Sequence, residues 1–428
     1  MGKIYGLCVS KGNAVGKICV VDSRYSENVL TEETILVMKT LDRKLLVNLN
    51  KNVVGVIAEI GNIGSHGAGI LRHLKIPCIL RIKNVMEIFK NGEIVKLCGT
   101  DSSISFDGDI QNRKCITAPS PQYGEFYSLL SSETFELSDI KVNQTWYCAR
   151  PERPYQRLRY DIIKEAFVLS ANFLFGLPPA KIKQNEVGAI ITLGAPYTLD
   201  ICRYVLKNPS WLISKARERS LVVDNIKIEL AQLNQLPQTM DGYVAVFEKG
   251  VELYRSLFRY SLMSQAISDE LLDAYTDFVS MITERGTSRD ILNLRSVYVE
   301  NCIGSGIDPG VSQKWKVEKA ERHIWDGTII FEPLCEDEEI IGRINSQNNS
   351  EKLMKDYNSF RIIVPLVYQL SEEFFYISSS INSYINWSLV NMCDEFNKKL
   401  GITLNVEEDL YEFSIEDLFT MINNCKGE

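Results

Sequence analysis

The chain has 428 residues, of which 45% are hydrophobic and 24% are charged, and its formal net charge at pH 7 is -8. This length predicts two or three domains, and this composition is typical of folded globular proteins. The acidic balance, with no basic block, argues against a nucleic-acid partner. Because no apolar run approaches the roughly 18 residues of a membrane span, we also expect no membrane partner.

Cysteine usage and the first residues bear on the compartment. The eleven cysteines are scattered and form no Cys-x-x-Cys pair, so we predict no metal site. Several lie in apolar strands, as reduced buried thiols do. The first six residues lead straight into strand-like sequence and contain no signal-peptide apolar region. These features together predict a cytoplasmic protein.

The first hundred residues alternate short strands with a few helices. Apolar and β-branched runs predict strands at 16–21, 35–38, 53–60, 78–82 and 94–97. Helices are predicted at 41–48, 67–75 and 85–89. We therefore expect a compact β/β/α domain over residues 1–108.

The remainder of the chain is predicted to be mostly helical. Breaker residues after Asp107 place a linker at 109–145, and the second domain covers 146–428. Helical periodicity is clearest at 158–174, 242–281 and 362–400, and a short strand is predicted at 188–194. The last helical stretch is one long helix or two with a kink, and Gly401 suits its end. The predicted fold class is thus an α/β domain followed by a mainly α domain.

The most informative stretch is 61–72, Gly-Asn-Ile-Gly-Ser-His-Gly-Ala-Gly-Ile-Leu-Arg, which follows an apolar strand. Its glycines suit a tight strand-to-helix turn, so His66 lies near a helix N-terminus, where negative charge is favoured. A neutral imidazole is a competent nucleophile toward phosphorus. We therefore predict that His66 is phosphorylated, with Ser65 adding a hydroxyl donor. The predicted phosphate-binding backbone is at Gly64, Gly67 and Gly69.

An isolated histidine is more often an ordinary surface or core residue, and we assign that interpretation to the other two, His73 and His323. The second of these follows a charged run that is typical of a solvated helix face.

The surroundings of His66 resemble a known domain. Residues 55–61, 65–68, Arg72 and 76–78 resemble the phosphohistidine swivelling domain, which is the mobile domain of phosphoenolpyruvate-utilising enzymes, pyruvate phosphate dikinases and rifampin phosphotransferases. Its pattern is a strand, Glu-x-Gly-Gly, Thr-Ser-His-Ala-Ala, an Arg six residues after the His, and Gly-Ile-Pro. Flanking matches at 10–17 and 91–99 extend the resemblance over about residues 1–108.

Three positions depart from that pattern. Asn62 replaces the second Gly, Gly64 replaces Thr, and Gly67 replaces the first Ala. The resemblance implies that His66 carries the phosphoryl group and that Ser65 and Arg72 contact the anion.

A weaker resemblance covers islands of the second half. These islands look like the substrate-binding domain of rifampin phosphotransferase-like enzymes, and they lie at 150–151, 190–197, 372–376 and 408–418. That family often has an Arg before a Glu and another about ten residues later. Here Tyr368 and Asn386 or Trp387 occupy those neighbourhoods. The resemblance implies that Glu372 or Glu373 is a base for the acceptor, and the alternative for both is a structural salt bridge.

The two resemblances together imply one component of a split dikinase-like phosphotransferase. We find no glycine-rich ATP-grasp region and no phosphoenolpyruvate barrel, and the glycines at 304–310 lack a strand–helix context. We therefore expect no directly bound cofactor. A separate ATP-grasp protein would bind Mg-ATP and charge His66, and the helical domain would bind a small-molecule acceptor that is phosphorylated or activated. The alternative is a catalytically degenerate paralogue that acts as a ligand-binding or scaffolding subunit.

Overall fold

A computed structural model gives the structure of most of the chain. The residues that it describes are 2–21, 30, 32–41, 46, 49, 51–61, 66–82, 84–99, 102–107, 125–131, 134–148, 156–185, 190–263, 267–283, 322, 324, 333–406 and 409–426. Most of the predicted helix at 41–48 (all but residues 41 and 46), most of the first half of the predicted linker, and His323 lie outside these residues.

By its internal contacts the chain forms two compact units. The first contains Met1–Ser132, Asp269–Trp315 and Leu334–Val364, and the second contains Glu133–Ser268, Lys316–Pro333 and Pro365–Glu428. Two segments from the second half of the sequence thus group with the N-terminal region. The predicted mobile boundary at residue 108 and the linker at 109–145 stay predictions.

The first unit is built on one mixed sheet of eight strands. The strands are β1 Gly2–Tyr5, β2 Leu7–Ser10, β3 Asn13–Val20, β4 Thr34–Thr40, β5 Val53–Ile60, β6 Cys78–Leu80, β7 Ile94–Cys98 and β8 Ser103–Phe106. Their order is β1-β8-β7-β3-β4-β5-β6-β2. β3 to β6 are parallel, and the flanking pairs are antiparallel. All five predicted strands are confirmed, and β5 has the predicted bounds.

The sheet curls until its two ends meet at Gly6. β1 and β2 are at opposite ends of the strand order, yet only Gly6 separates them in the chain. The Gly6 N–H donates to the Ser102 carbonyl at 3.0 Å. A Cβ on Gly6 would lie 2.4 Å from the Leu80 carbonyl oxygen, so a larger residue does not fit.

The central strands are buried on both faces, which explains their continuous apolar runs. Alternate residues of β4 and β5, such as Ile35, Val37 and Ile57, lie in one core cluster together with Phe89 and Phe106. The two phenylalanine rings meet edge to face, with centroids 5.9 Å apart. This core is sealed by the short helix Val85–Ile88, which agrees with the predicted third helix.

A buried ion-pair cluster joins helix Ser268–Thr283 to the sheet of the first unit. Arg81 follows β6 with a positive φ of 62°, which is strained for a residue with a side chain. Its Nη1 lies 2.8 Å from Asp277 Oδ1, and its Nη2 lies 3.5 Å from Asp273 Oδ2. Both carboxylates are 1–2% exposed, so the arginine compensates negative charge that is held away from solvent.

The second unit is mostly helical, as predicted. Its helices are Arg157–Phe175, Thr198–Lys207, Pro209–Leu233, Met240–Phe258, the part of Ser350–Leu400 that begins at Pro365, and Ile415–Lys426. A small antiparallel sheet has the order Lys181–Gln184, Ile190–Leu193, Tyr147–Cys148. Gly250 allows close packing of two helices, because its Cβ would lie 2.7 Å from Ile385 Cγ1.

The stretch predicted as helical over 242–281 is interrupted. One helix ends at Phe258, a 3₁₀ turn covers Ser261–Met263, and the next helix begins at Ser268. The Ser170 hydroxyl donates to the Arg259 carbonyl at 3.0 Å and so satisfies an acceptor at the end of the first helix.

The long helix is continuous and begins twelve residues before the predicted start. It covers Ser350–Leu400 and includes Pro365, which lacks the N–H that would bond the Arg361 carbonyl. The Leu334 N–H donates to that carbonyl instead, at 2.9 Å. The helix ends as predicted, with Gly401 at a positive φ of 66°. Across the described ranges, no helix combines the length and apolar character that a membrane span needs.

We predict that Arg81→Met lowers the free energy of unfolding by about 3–5 kcal/mol, because it removes the cation that pairs with two buried carboxylates. Arg343→Met is the matched control. It removes a partly exposed i,i+4 pair with Glu339 and is expected to cost under about 1 kcal/mol. Urea denaturation of both variants measures the difference, and equal losses would contradict the buried cluster.

Candidate functional site

His66 begins a helix at one edge of the parallel strands. Register pairs Thr40 with Ile60 across β4 and β5, and Ile57 with Ile79 across β5 and β6, so these strands end at the same edge. The helix after β5 covers His66–His73, one residue longer at its start than predicted. In open parallel sheets, ligands bind outside the carboxyl ends of the strands. His66 is therefore placed where such a sheet presents functional groups.

The start of this helix is free of acidic residues, so its positive dipole end is not neutralised from within the helix. Gly69 lies inside the helix. Gly64 and Ser65 lie outside the described residues, so their predicted contacts to phosphate stay predictions.

Close packing fixes the helix behind His66. Ala68 and Leu71 are fully buried. A Cβ on Gly67 would lie 2.7 Å from Leu41 Cβ and 3.0 Å from Leu46 Cδ1. Gly67, where the family pattern has alanine, therefore lies in a space that Leu41 leaves too small for a side chain.

Arg72 anchors the same helix to the sheet. Its side chain is buried, and Nη1 donates to the Val9 carbonyl of β2 at 2.9 Å. The surroundings of Arg72 are apolar. Burial there raises the pKa of the neighbouring Cys8 thiol to about 12, and the positive charge of Arg72 opposes that shift. The observed contact positions the helix. The predicted contact of Arg72 with the anion stays a prediction.

The predicted base Glu373 lies in the second unit, beside an arginine that sequence reasoning missed. Glu373 Oε2 is 3.4 Å from Arg219 Nη2, and Arg219 is completely buried. Glu372 is on the same helix, but its side chain is outside what the structure describes. Arg219 sits in a charged run, Lys-Ala-Arg-Glu-Arg, that suggests a solvated face. Its spacing from Leu212, Val223 and Ile226 places it in the apolar stripe of the helix, and that signal could have identified it.

Burial perturbs both members of this pair. It raises the pKa of Glu373, although the positive charges of Arg219 and Lys227 oppose the shift and the charge of Asp224 adds to it. Burial also lowers the pKa of Arg219 to about 10, with the Glu373 charge opposing. A carboxylate with a raised pKa is a better proton acceptor near neutral pH. Among the residues that the structure covers, no group of three or more His, Cys, Asp or Glu side chains could hold a metal.

We predict that Gly67→Ala destabilises the first unit by about 1–3 kcal/mol, because overpacking against Leu41 outweighs the higher helix propensity of alanine. Gly342→Ala is the control, since it lies in a helix with nothing within 4 Å of the new Cβ, and it is expected to stabilise by about 0.5–1 kcal/mol. Both are measured by urea denaturation. An alanine at 67 that stabilises the protein would contradict the packing.

Comparison with known proteins places a family domain on this site. Residues 30–102 match the model of the mobile domain of PEP-utilising enzymes. The chain is 26% identical over 130 residues to a phosphoenolpyruvate-protein phosphotransferase of Priestia megaterium, covering 29% of this chain and 23% of the relative.

Two further relatives match in the same way. The chain is 27% identical over 144 residues to a probable phosphoenolpyruvate synthase of Archaeoglobus fulgidus, covering 33% of this chain and 18% of the relative. It is 29% identical over 103 residues to the rifampicin phosphotransferase of Bacillus subtilis, covering 24% of this chain and 12% of the relative. The chain thus spans under a quarter of the length of these three curated relatives.

The matched segment contains β4 to β7 and the helix that His66 begins. The predicted resemblance to the mobile domain and the predicted fold class are confirmed. The N-terminal sheet region of this chain carries a mobile domain of PEP-utilising enzymes, and a mostly helical region follows it.

Proposed function

We propose that this protein is a phosphotransferase component in which His66 accepts a phosphoryl group and passes it to a small molecule bound by the second unit. The observation that carries the proposal is the position of His66. It begins a helix at the carboxyl edge of parallel strands, inside the segment that matches the mobile domain. The names of the relatives, two phosphotransferases and a probable phosphoenolpyruvate synthase, support the reaction class.

The transfer through His66 consists of two displacements at phosphorus. In the first, a neutral imidazole nitrogen of His66 attacks, a P–N bond forms, and the P–O bond to the donor breaks with its electron pair leaving on oxygen. In the second, an acceptor oxygen attacks, the P–N bond breaks, and the nitrogen keeps that pair. Positioning and charge stabilisation supply most of the catalysis, and the helix N-terminus supplies part of that stabilisation. Glu373 or Glu372 takes the proton of the acceptor hydroxyl.

The donor half of the proposal is a separate ATP-grasp protein in the same cytoplasmic compartment. It binds Mg-ATP, and attack of His66 on the β-phosphorus breaks the bond to the α-phosphate and releases AMP. A water molecule then cleaves the bond between the β- and γ-phosphates, which releases inorganic phosphate and leaves the β-phosphoryl group on His66. The name of one relative, a phosphoenolpyruvate-protein phosphotransferase, suggests phosphoenolpyruvate as the other donor to test.

The expected result is that protein incubated with ATP labelled at the β-phosphate, an ATP-grasp protein and Mg²⁺ acquires label that is acid-labile and base-stable. His66→Ala should abolish this labelling, because it removes the nucleophile. His73→Ala, at the other end of the same helix, is the matched control and should label like the wild type. A parallel reaction uses labelled phosphoenolpyruvate in place of ATP and the ATP-grasp protein.

Label on His66→Ala would move the carrier elsewhere and contradict the proposal. No label from either donor would also contradict it, and would favour the ligand-binding or scaffolding alternative. Label from phosphoenolpyruvate alone would keep the carrier role and replace the donor.

A further inference from the structure

Arg219 is a completely buried cation with unsatisfied hydrogen-bond donors. Its side chain is 0% exposed, and Nε, Nη1 and Nη2 have no hydrogen-bond partner among the described residues. A guanidinium carries five N–H donors in a planar fork that matches a carboxylate or a phosphate. Because buried polar groups in native proteins are nearly always bonded, an orphaned group of this kind calls for an explanation, such as an absent ligand.

The neighbours of Arg219 do not supply the missing acceptors. The Glu373 Oε2 atom lies 3.4 Å from Nη2, beyond the roughly 2.7–2.9 Å of a charge-assisted hydrogen bond. The Phe374 ring centroid is 5.9 Å from the guanidinium carbon and offers only a π face. The Tyr260 hydroxyl donates to Glu218 Oε1 at 3.2 Å. Among the described residues, these neighbours therefore accept no hydrogen bond from the guanidinium of Arg219.

The electrostatics agree with this geometry. Burial shifts the pKa of Arg219 downward and that of Glu373 upward, so both ions pay a desolvation cost. A single long contact offsets such a cost poorly. Paired groups with perturbed protonation are typical of functional sites. The Glu373 side chain is 15% exposed, which gives the pair its access to solvent.

We propose that Arg219 is the anion-binding residue of an acceptor subsite, where its fork holds a carboxylate or phosphate group while Glu373 faces the hydroxyl of the same molecule. The acceptor class is then a small hydroxyl-bearing oxyanion. The hydroxyl half of this assignment rests on the proposed function, whereas anion binding at Arg219 stands without it. In the transfer, the hydroxyl oxygen bonds to phosphorus, its proton moves to the Glu373 carboxylate, and the P–N bond to His66 breaks with its electrons on nitrogen.

Calorimetric titration of the full chain tests the subsite. The probes are glycolate, which has both groups, acetate, which lacks the hydroxyl, and inorganic phosphate, each at matched ionic strength with chloride as the blank. We expect saturable binding to the wild type, with glycolate tighter than acetate if the anion is a carboxylate. Tighter phosphate would assign the site to a phosphate group.

Three variants locate the binding. Arg217→Met, an exposed arginine on the same helix, is the matched control and should bind like the wild type. Arg219→Lys keeps the charge without the fork and should weaken binding at least tenfold. Arg219→Met/Glu373→Gln removes both buried charges, so no unpaired ion remains, and should abolish binding. The lysine variant decides the question if the double variant does not fold by circular dichroism.

A proton count separates a binding site from a structural ion pair. An anion beside Glu373 disfavours the charged form of its carboxylate, so binding should take up a fraction of a proton per site, and the measured heat should vary with the ionisation enthalpy of the buffer. The fraction of sites in which Glu373 stays ionised is the fraction that can accept the hydroxyl proton in the transfer. Binding that persists in Arg219→Lys at wild-type strength, or the absence of binding by all three probes, would overturn the proposal and leave Arg219 a structural residue.

Labelling of His66 in the same variants keeps the two proposals apart. Arg219→Lys should be labelled like the wild type. If it is labelled and no anion binds the wild type, the subsite fails and the carrier role stands. If anions bind through Arg219 but His66 is never labelled, the carrier role fails and the anion site stands.

Discussion

The join between β5 and the His66–His73 helix is the constraint on which the candidate site depends. The helix must start close to the carboxyl edge of the parallel strands, and this requires backbone where side chains do not fit. Leu41 closes the space around Gly67, and Leu80 approaches Gly61 so closely that a Cβ there would lie 2.9 Å away. Arg72 then fastens the far end of the helix to Val9. These contacts place the start of the helix, and with it the backbone of His66, at this edge.

Much of the first unit could be predicted from sequence because its central strands are buried on both faces. Such strands appear as unbroken apolar runs, and the predicted bounds of β5 match the structure. β2 and β8 escaped prediction because each has only four residues and contains serine. The grouping of residues 269–283 and 334–364 with the N-terminal sheet also escaped, since it depends on long-range contacts such as that of Arg81 with Asp277.

The second unit contains a buried ion pair of which the sequence points to only one member. Glu373 is a predicted base on the strength of a resemblance, which stays a prediction, and the structure places it beside Arg219. The arginine was missed because its immediate neighbours are charged, although its helical spacing matches the buried residues of the same helix. Local composition describes the exposed face of a helix, and periodicity describes the buried one. Where local composition predicts an exposed residue and periodicity predicts a buried one, a charged side chain such as that of Arg219 can lie in the core.

The assembly of the first unit from separated segments affects how the chain folds during synthesis. Arg81, which follows β6 of the N-terminal sheet, donates to Asp277 across a separation of 196 residues, and both belong to the first unit. Contacts of such large sequence separation form slowly and expose apolar surface until they form. The N-terminal sheet therefore leaves the ribosome without its partners and reaches its final packing only after residue 364 has emerged. Until then the apolar surface that these later segments cover stays exposed, and the early chain is prone to aggregate.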